Sequence, residues 1–164
     1  MEYSGVKWNC WDESATGEEW LVLLGTHTPK LDEKGRLVLP AKFRAVLDEG
    51  VVMTKGQDRC VVLWPASEFE EYARRLNEAS RSNAAVRSYL RVIFSSAHDQ
   101  TPDKQGRVGV PTALRDYANL DKEVVVAGNG TTAEIWDGPA WSAYLEAQES
   151  EFADLAEEVV PGIF

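Results

Sequence analysis

The sequence predicts a mostly β fold carrying helices (α+β), built from two copies of one unit in a single chain. Three observations carry that prediction. The stretch Asp32-Glu33-Lys34-Gly35-Arg36-Leu37-Val38-Leu39-Pro40 recurs as Asp103-Lys104-Gln105-Gly106-Arg107-Val108-Gly109-Val110-Pro111, at a constant offset of 71 residues. An aromatic trio, Trp64, Phe69 and Tyr72, recurs with the same spacing as Trp136, Trp141 and Tyr144. Between these blocks lie matching β-branched runs, Val51-Val52-Met53 and Val124-Val125-Val126. A unit of this length present twice is a duplicated domain rather than a solenoid.

Each residue of the repeated stretch has a mechanical reason. Asp opens a tight turn by accepting from backbone N–H groups just downstream. Gly three residues later supplies a positive φ. The Arg that follows is held out where the chain straightens. Leu37 and Leu39 alternate as in a half-buried strand. Pro40 suits the first turn of a helix, where its missing N–H costs nothing. Each copy is therefore predicted to be turn, short strand and short helix. The match extends outward, with His27 answering to His98 and Phe43-Arg44 to Leu114-Arg115.

In chain order, residues 1–21 form an extension rich in Trp and acid, with no convincing period, and are predicted to be disordered. A strand is predicted over 21–25, then the turn, then a helix over 40–47 with Phe43, Val46 and Leu47 on one face. Strands over 51–54 and 59–64 flank a loop at 55–58. Pro65 opens a longer helix striped by Phe69, Tyr72, Ala73 and Leu76. Asn83 is the expected N-cap of a helix over 84–92, and 93–98 starts the second copy. There the turn is entered through Asp99-Gln100-Thr101-Pro102 instead of Thr28-Pro29-Lys30-Leu31. A helix over 111–118 follows, then a second hairpin around Asn129-Gly130. A long acidic helix over 138–158 should face the body with Trp141, Tyr144, Leu145, Gln148, Phe152 and Leu155. The expected organisation is an extension (1–21), a first half (22–79), a connecting helix (80–94), a second half (95–140) and an acidic helix with tail (141–164). The aromatic trios are expected to pin each long helix to its hairpin, rather than to stack bases as single-strand binders do.

The net charge of −10 argues against nucleic acid until its distribution is considered. Residues 1–20 hold five acids and one base, residues 145–164 hold six acids and no base, and the middle carries sixteen of each. Within that neutral middle, residues 30–44 are net +3 and residues 103–115 net +2. Local basic turns on a neutral body can bind phosphate, because screening over about 10 Å at 0.1 M salt mutes distant acids; charge alone favours two merely solvated turns, and the duplication of the whole turn reverses that preference. Cys10 and Cys60 form no C-x-x-C pair, and Cys60 is expected as a small core residue. No apolar run is long enough for a membrane span, and the first residues lack the basic head and apolar core of a signal peptide. The expected location is the cytoplasm. No Walker loop, dinucleotide fingerprint, zinc spacing or nucleophile elbow is present, so neither an enzyme, a metal nor a cofactor is expected. His27 and His98 lack a second ligand at helical spacing and are taken as structural or surface residues.

The duplicated D-x-x-G-R turn and its flanks, above all Leu24 to Arg44 (L-G-T-H-T-P-K-L-D-E-K-G-R-L-V-L-P-A-K-F-R), resemble the MraZ family of bacterial transcription regulators. The resemblance runs from about Val22 to the C-terminus. It implies two SpoVT/AbrB-like swapped-hairpin halves forming a pseudo-dimeric β-barrel within one chain, and further assembly into a homo-oligomeric ring. It implies nucleoid association and sequence-specific binding to duplex DNA with short direct repeats, as a repressor of its own promoter at the cell-division and cell-wall gene cluster. On the matching positions, Arg36 and Arg107 are expected at base edges. Lys30, Lys34, Lys42, Arg44 and Lys104 are expected on phosphates, and Gly35 and Gly106 in the contacting turns. Asp32 and Asp103 are expected to shape the turns. Gln105 stands where the first copy has Lys34, so the halves are electrostatically unequal. Family members begin near a Met-Phe-Leu-Gly, and Val22-Leu23-Leu24-Gly25 stands at that place. The resemblance thus implies a native start at position 22, against a genuine arm with three tryptophans. The alternative function is an antitoxin-like AbrB protein-interaction module whose acidic tail occupies a basic partner.

Overall fold

The computed structural model describes residues 22–155 and 159–162. The expectations for residues 1–21 lie outside the described residues. The first copy supplies β1 (Thr26–His27), β2 (Arg36–Val38), α1 (Ala41–Leu47), β3 (Val51–Lys55), β4 (Val61–Pro65) and α2 (Ala66–Asn77). α3 (Ala84–Ser96) connects the copies. The second copy supplies β5 (His98–Gln100), β6 (Arg107–Gly109), α4 (Thr112–Tyr117), β7 (Val124–Gly128), β8 (Ala133–Asp137) and α5 (Gly138–Ala153). The fold is α+β, dominated by antiparallel sheet, with the element order repeated.

Six strands form one sheet in the order β1-β7-β8-β4-β3-β5, and β2 pairs with β6 in a separate ribbon. The outer strands cross between copies. β1 lies on β7, with His27 opposite Val126, and β5 lies on β3, with His98 opposite Met53. At the sheet centre β4 pairs with β8, Val62 opposite Glu134. The expected closure into a barrel does not occur among the described strands. β2 and β6 have three residues each and pair only with one another, and β1 and β5 each have a single neighbour in the sheet.

One core serves both copies. Leu37, Leu39, Phe43, Leu47, Met53 and Leu63 share a cluster with Val108, Val110, Leu114, Val126 and Ile135, all almost wholly buried. The aromatic trios pin the long helices to their hairpins. Trp64 stacks on Tyr72 at 4.5 Å and meets Phe69 edge-on at 5.8 Å, while its indole N–H donates to the buried Thr54 Oγ1 at 3.0 Å. Trp136 packs on Tyr144 at 4.8 Å and on Trp141 at 5.3 Å. Asn83 caps α3 by accepting from the Ala85 N–H at 2.8 Å. Cys60 is buried, its Sγ 3.3 Å from a Glu134 carboxylate oxygen; burial, then that carboxylate, push its thiol pKa well above the usual range.

Three elements differ from expectation. The strand expected over 21–25 is replaced by an isolated bridge from Leu23 to Gly130 and by β1 itself, because Gly25 turns the chain between them at φ 87°. α3 runs to Ser96 instead of stopping at 92, since Leu90 and Ile93 continue its buried stripe and the Ser96 hydroxyl bonds back to the Ile93 carbonyl at 3.1 Å. α5 ends at Ala153, and its distal half does not face the body: Gln148 is exposed, Phe152 is 77% exposed and Leu155 53%. Trp141 and Tyr144, in its first turns, reach Trp136, and among the described residues nothing covers the exposed distal side chains.

The shared core generates a test. Leu37 and Val108 face each other across the ribbon and are each 1% exposed. Leu37→Ala should lower stability by about 2–5 kcal/mol. Urea unfolding of both chains should remain one transition; two transitions would mean that the copies fold separately.

Candidate nucleic-acid interface

The two repeated turns meet at the β2–β6 ribbon. In the first, Asp32 Oδ1 accepts from the Lys34 and Arg36 backbone N–H groups, each at 2.9 Å, and Oδ2 from Arg36 Nε at 3.0 Å. The Asp32 N–H donates to the Arg36 carbonyl at 2.8 Å, and the Gly35 N–H to the Asp32 carbonyl at 3.0 Å, with Gly35 at φ 77°. The second turn repeats this. Asp103 Oδ1 accepts from Gln105 and Arg107 at 2.9 Å, Oδ2 accepts from Arg107 Nε at 2.8 Å, and Gly106 sits at φ 74°. The aspartates therefore shape the turns, and each also fixes the guanidinium beside it.

That last contact modifies the expectation for the arginines. Arg36 and Arg107 are not simply held out: each is folded back onto its aspartate through Nε, leaving the terminal nitrogens as the outward edge. The ribbon register puts both on one face. Arg36 lies opposite Gly109 and Val38 opposite Arg107, alternating with the buried Leu37 and Val108. The two arginines are thus about two residues, roughly 7 Å, apart along an open ribbon face, with Val38 45% exposed between them.

Each turn also leans on the other copy. The Leu39 N–H donates to the Gly106 carbonyl at 2.9 Å, and the Val110 N–H to the Gly35 carbonyl at 2.8 Å. The entries to the turns differ, as their sequences do. The first is tied to the second copy's 122–123 segment, by a bridge from Lys30 to Glu123 and by the Leu31 N–H on the Lys122 carbonyl at 2.9 Å. The second is clamped by one side chain: the Gln100 amide donates to the Gly109 carbonyl at 2.7 Å and accepts from its N–H at 2.9 Å.

The other cations divide into two groups. Lys34 and Lys104 are exposed within the turns, and Arg44 covers Gly106. Lys42 is directed elsewhere, toward Gly25 and the half-buried His27, whereas Lys30 is tied to Glu123 only through its backbone and its side chain is exposed. His27 meets Phe43 edge-on at 5.1 Å; burial, followed by the Lys42 charge, lowers its pKa. His27 and His98 lie on the two outer strands of the sheet and share no site. No group of metal-type side chains occurs among the described residues, and no described helix is long and apolar enough to cross a membrane. Sequence reasoning did not assign Arg115, which covers Gly35, nor the Gln100–Gly109 clamp. The pairing of Phe43-Arg44 with Leu114-Arg115 was the signal that could have found Arg115.

The family model for the MraZ protein, described as antitoxin-like, matches the chain twice, over residues 22–92 and 93–161. The chain belongs to the MraZ family. A relative from Salinispora arenicola (strain CNS-205) is 56% identical over 142 residues, covering 87% of this chain and all of that protein. One from Clavibacter michiganensis subsp. michiganensis (strain NCPPB 382) is 54% identical over 143 residues, with the same shares covered. Both are named transcriptional regulator MraZ. The two MraZ matches meet inside α3, and residues 1–21 lie outside them.

The turns should respond to acid. Hydrogen bonds from the Arg36 backbone N–H lower the Asp32 pKa, and those from the Arg107 N–H lower that of Asp103. With the folded pKa below the unfolded value of about 3.9, the contribution to stability is complete above that pH. It is lost as pH falls through the lower folded value. Melting temperatures from pH 2.5 to 7 should show wild type losing stability in that acid window. The Asp32→Asn/Asp103→Asn chain should lose less across it, and an identical pH profile would rule the lock out.

Proposed function

We propose that the chain is a transcriptional regulator that binds duplex DNA through the β2–β6 ribbon. The observation that carries this reading is the open ribbon face bearing Arg36 and Arg107, with Lys34 and Lys104 in the flanking turns. The major groove admits a two-stranded ribbon, and guanidinium pairs with the O6 and N7 of guanine. Holding Nε on the aspartate restricts the arginine before DNA arrives, which reduces the ordering cost of binding. In this reading Arg36 and Arg107 take base edges; Lys34, Lys104 and Arg44 take phosphates; Gly35 and Gly106 allow the close turns. The names of the relatives support regulation of transcription. Repression of the chain's own promoter at the cell-division and cell-wall genes, through short direct repeats in the nucleoid, is the specific role we assign.

The crossed pairings of β1 with β7 and β5 with β3 support two AbrB-like halves acting as an internal pseudo-dimer, with 22–79 and 95–140 as its halves. Homo-oligomerisation into a ring is part of the proposal. Its support is the uncovered apolar surface of the C-terminal region, where Phe152 is 77%, Val159 67% and Val160 54% exposed. Light scattering at micromolar concentration should find an oligomer; a monomer would exclude the ring.

One subunit offers few phosphate contacts, so engagement of several subunits is needed for tight binding. Linked engagement raises affinity by about 10² to 10⁴ without new kinds of contact. Gel shifts on the DNA upstream of the chain's own gene, with one, two or three repeats intact, should show affinity rising with repeat number. Arg36→Ala should abolish most of the binding, and Arg107→Ala somewhat less. Wild-type binding by Arg36→Ala, or indifference to repeat number, would refute the mechanism.

A further inference from the structure

The central strands have a second face. β4 and β8 turn Val61, Leu63, Ala133 and Ile135 into the shared core. Alternation along the strands puts Val62, Trp64, Glu134 and Trp136 on the opposite side. The helices do not close over all of that side. A cleft of about 590 Å³ remains, a size ordinary for a small-molecule site. The sheet lines it with Val62, Trp64 and Glu134, and the helices line it with Tyr72, Tyr89 and Tyr117. Tyr89 is 40% exposed and Val92, beside it in the lining, 48%, so apolar surface on the α3 side of the cleft is left in water.

The charged residues of the cleft are Asp58 and Glu134 against Lys55. Lys55 does not neutralise Glu134. Its ammonium lies 5.3 Å from the centre of the Tyr117 ring, with the Arg59 guanidinium 4.9 Å from the same ring. Glu134 is half-buried, and among the described residues no cation lies within ion-pair distance of it. Its carboxylate oxygens accept from the Trp136 indole N–H and the Cys60 thiol, each at 3.3 Å. The first bond is long and the second comes from a weak donor. The fold does not require an acid at this place, because the matching position of the first copy, directly opposite in the β4–β8 pairing, holds Val62.

A carboxylate partly removed from water without a cation is costly. A ligand cation would supply the counter-charge, and the faces of Trp and Tyr rings attract cations as well as flat apolar groups. The walls are built before a ligand arrives. Trp64 is held by Thr54 and stacked on Tyr72, and a hydroxyl–hydroxyl bond of 2.5 Å ties Tyr72 on α2 to Tyr89 on α3. A preformed wall lowers the ordering cost of binding.

We propose that this cleft binds a small organic cation, its ammonium head on Glu134 and its flat apolar body among Trp64, Tyr72 and Tyr89. The site lies apart from the ribbon, and the proposal does not depend on the DNA-binding reading.

The test is calorimetric titration of the full chain with three probes of one shape and different charge: phenethylammonium, 2-phenylethanol and phenylacetate. Phenethylammonium should bind best, 2-phenylethanol more weakly and phenylacetate least. Glu134→Gln keeps the side-chain shape and loses the charge. It should weaken phenethylammonium by about tenfold or more, the loss of one charge-assisted contact, and leave 2-phenylethanol unchanged. Tyr89→Ala should weaken both. Equal binding of the three probes overturns the proposal, as does wild-type affinity of Glu134→Gln for phenethylammonium. Absence of phenethylammonium binding at millimolar concentration also overturns it, including the case in which a neighbouring copy closes the cleft. Near-UV circular dichroism checks the fold. If Glu134→Gln does not fold, Tyr89→Ala carries the test, and unchanged phenethylammonium affinity there overturns the proposal. Loss of fold in both variants assigns these residues to packing and overturns it too.

Discussion

Two backbone hydrogen bonds, Leu39 N–H to the Gly106 carbonyl and Val110 N–H to the Gly35 carbonyl, hold each repeated turn against the strand of the other copy. The glycine that gives a turn its positive φ is also the residue whose carbonyl docks the partner strand, so local conformation and assembly are specified at one position. Below these bonds Leu37 and Val108 join a core drawn from both copies. Above them the same register brings Arg36 and Arg107 to one face. Side chains alternate across a strand, so a slip of one residue would bury the arginines and expose the leucine and valine. The cross-copy bonds and the shared core thus oppose the one error that would remove the proposed site.

Electrostatics at this face works at short range. The excess acid of the chain lies near its two ends, while the turns contain their own aspartates within hydrogen-bonding distance of the arginines. An aspartate one contact away from a DNA-facing arginine looks counterproductive by charge count. Its geometry explains it: the carboxylate accepts two backbone N–H groups as well as Nε, so it closes the turn first and orients the guanidinium second. Lys34, Lys104, Arg44 and Arg115, which have no acidic partner within ion-pair distance among the described residues, then supply the local positive charge. Charge summed over a segment had hidden this division of labour.

Much of the framework was legible because it depends on local chemistry stated twice. The duplication, the aspartate-closed turns, the positive-φ glycines and the aromatic pinning of the helices follow from residue type and spacing. The crossing of β1 and β5 between copies does not, since no local signal says which copy a two- or three-residue strand will pair with. The end of α3 was misjudged because Ile93, Phe94 and Ser96 suit either state, and burial of Ile93 decided for helix. The distal stripe of α5 was visible, but amphipathic spacing reveals an apolar face without naming what covers it. Among site residues, the motif itself marked Arg36 and Arg107. Arg115 depends on which element lies across the ribbon, and the divergence of Lys42 toward His27 on how α1 packs against the β1 segment, neither of which the sequence states.

Keeping both halves in one chain has a physical consequence beyond raising their local concentration. A homodimer must hold identical turns, whereas a duplicated chain can let them diverge. Here they have: Gln105 stands for Lys34, Gly109 for Val38, and Gln100 for Pro29. The divergences are mechanically linked. Gln100 can grip both backbone groups of Gly109 because β5 ends beside the ribbon; Pro29 has no side-chain donor or acceptor, and that turn is tied through Leu31 to the 122–123 segment instead. The ribbon consequently has two unlike ends, one with an extra lysine and a valine, the other with a glutamine and an open glycine. A twofold-symmetric binder reads both directions of a palindrome equally. On the proposed function, a binder with unlike ends has a direction along the duplex, and successive copies engaging it side by side would favour sites repeated in one orientation over inverted ones.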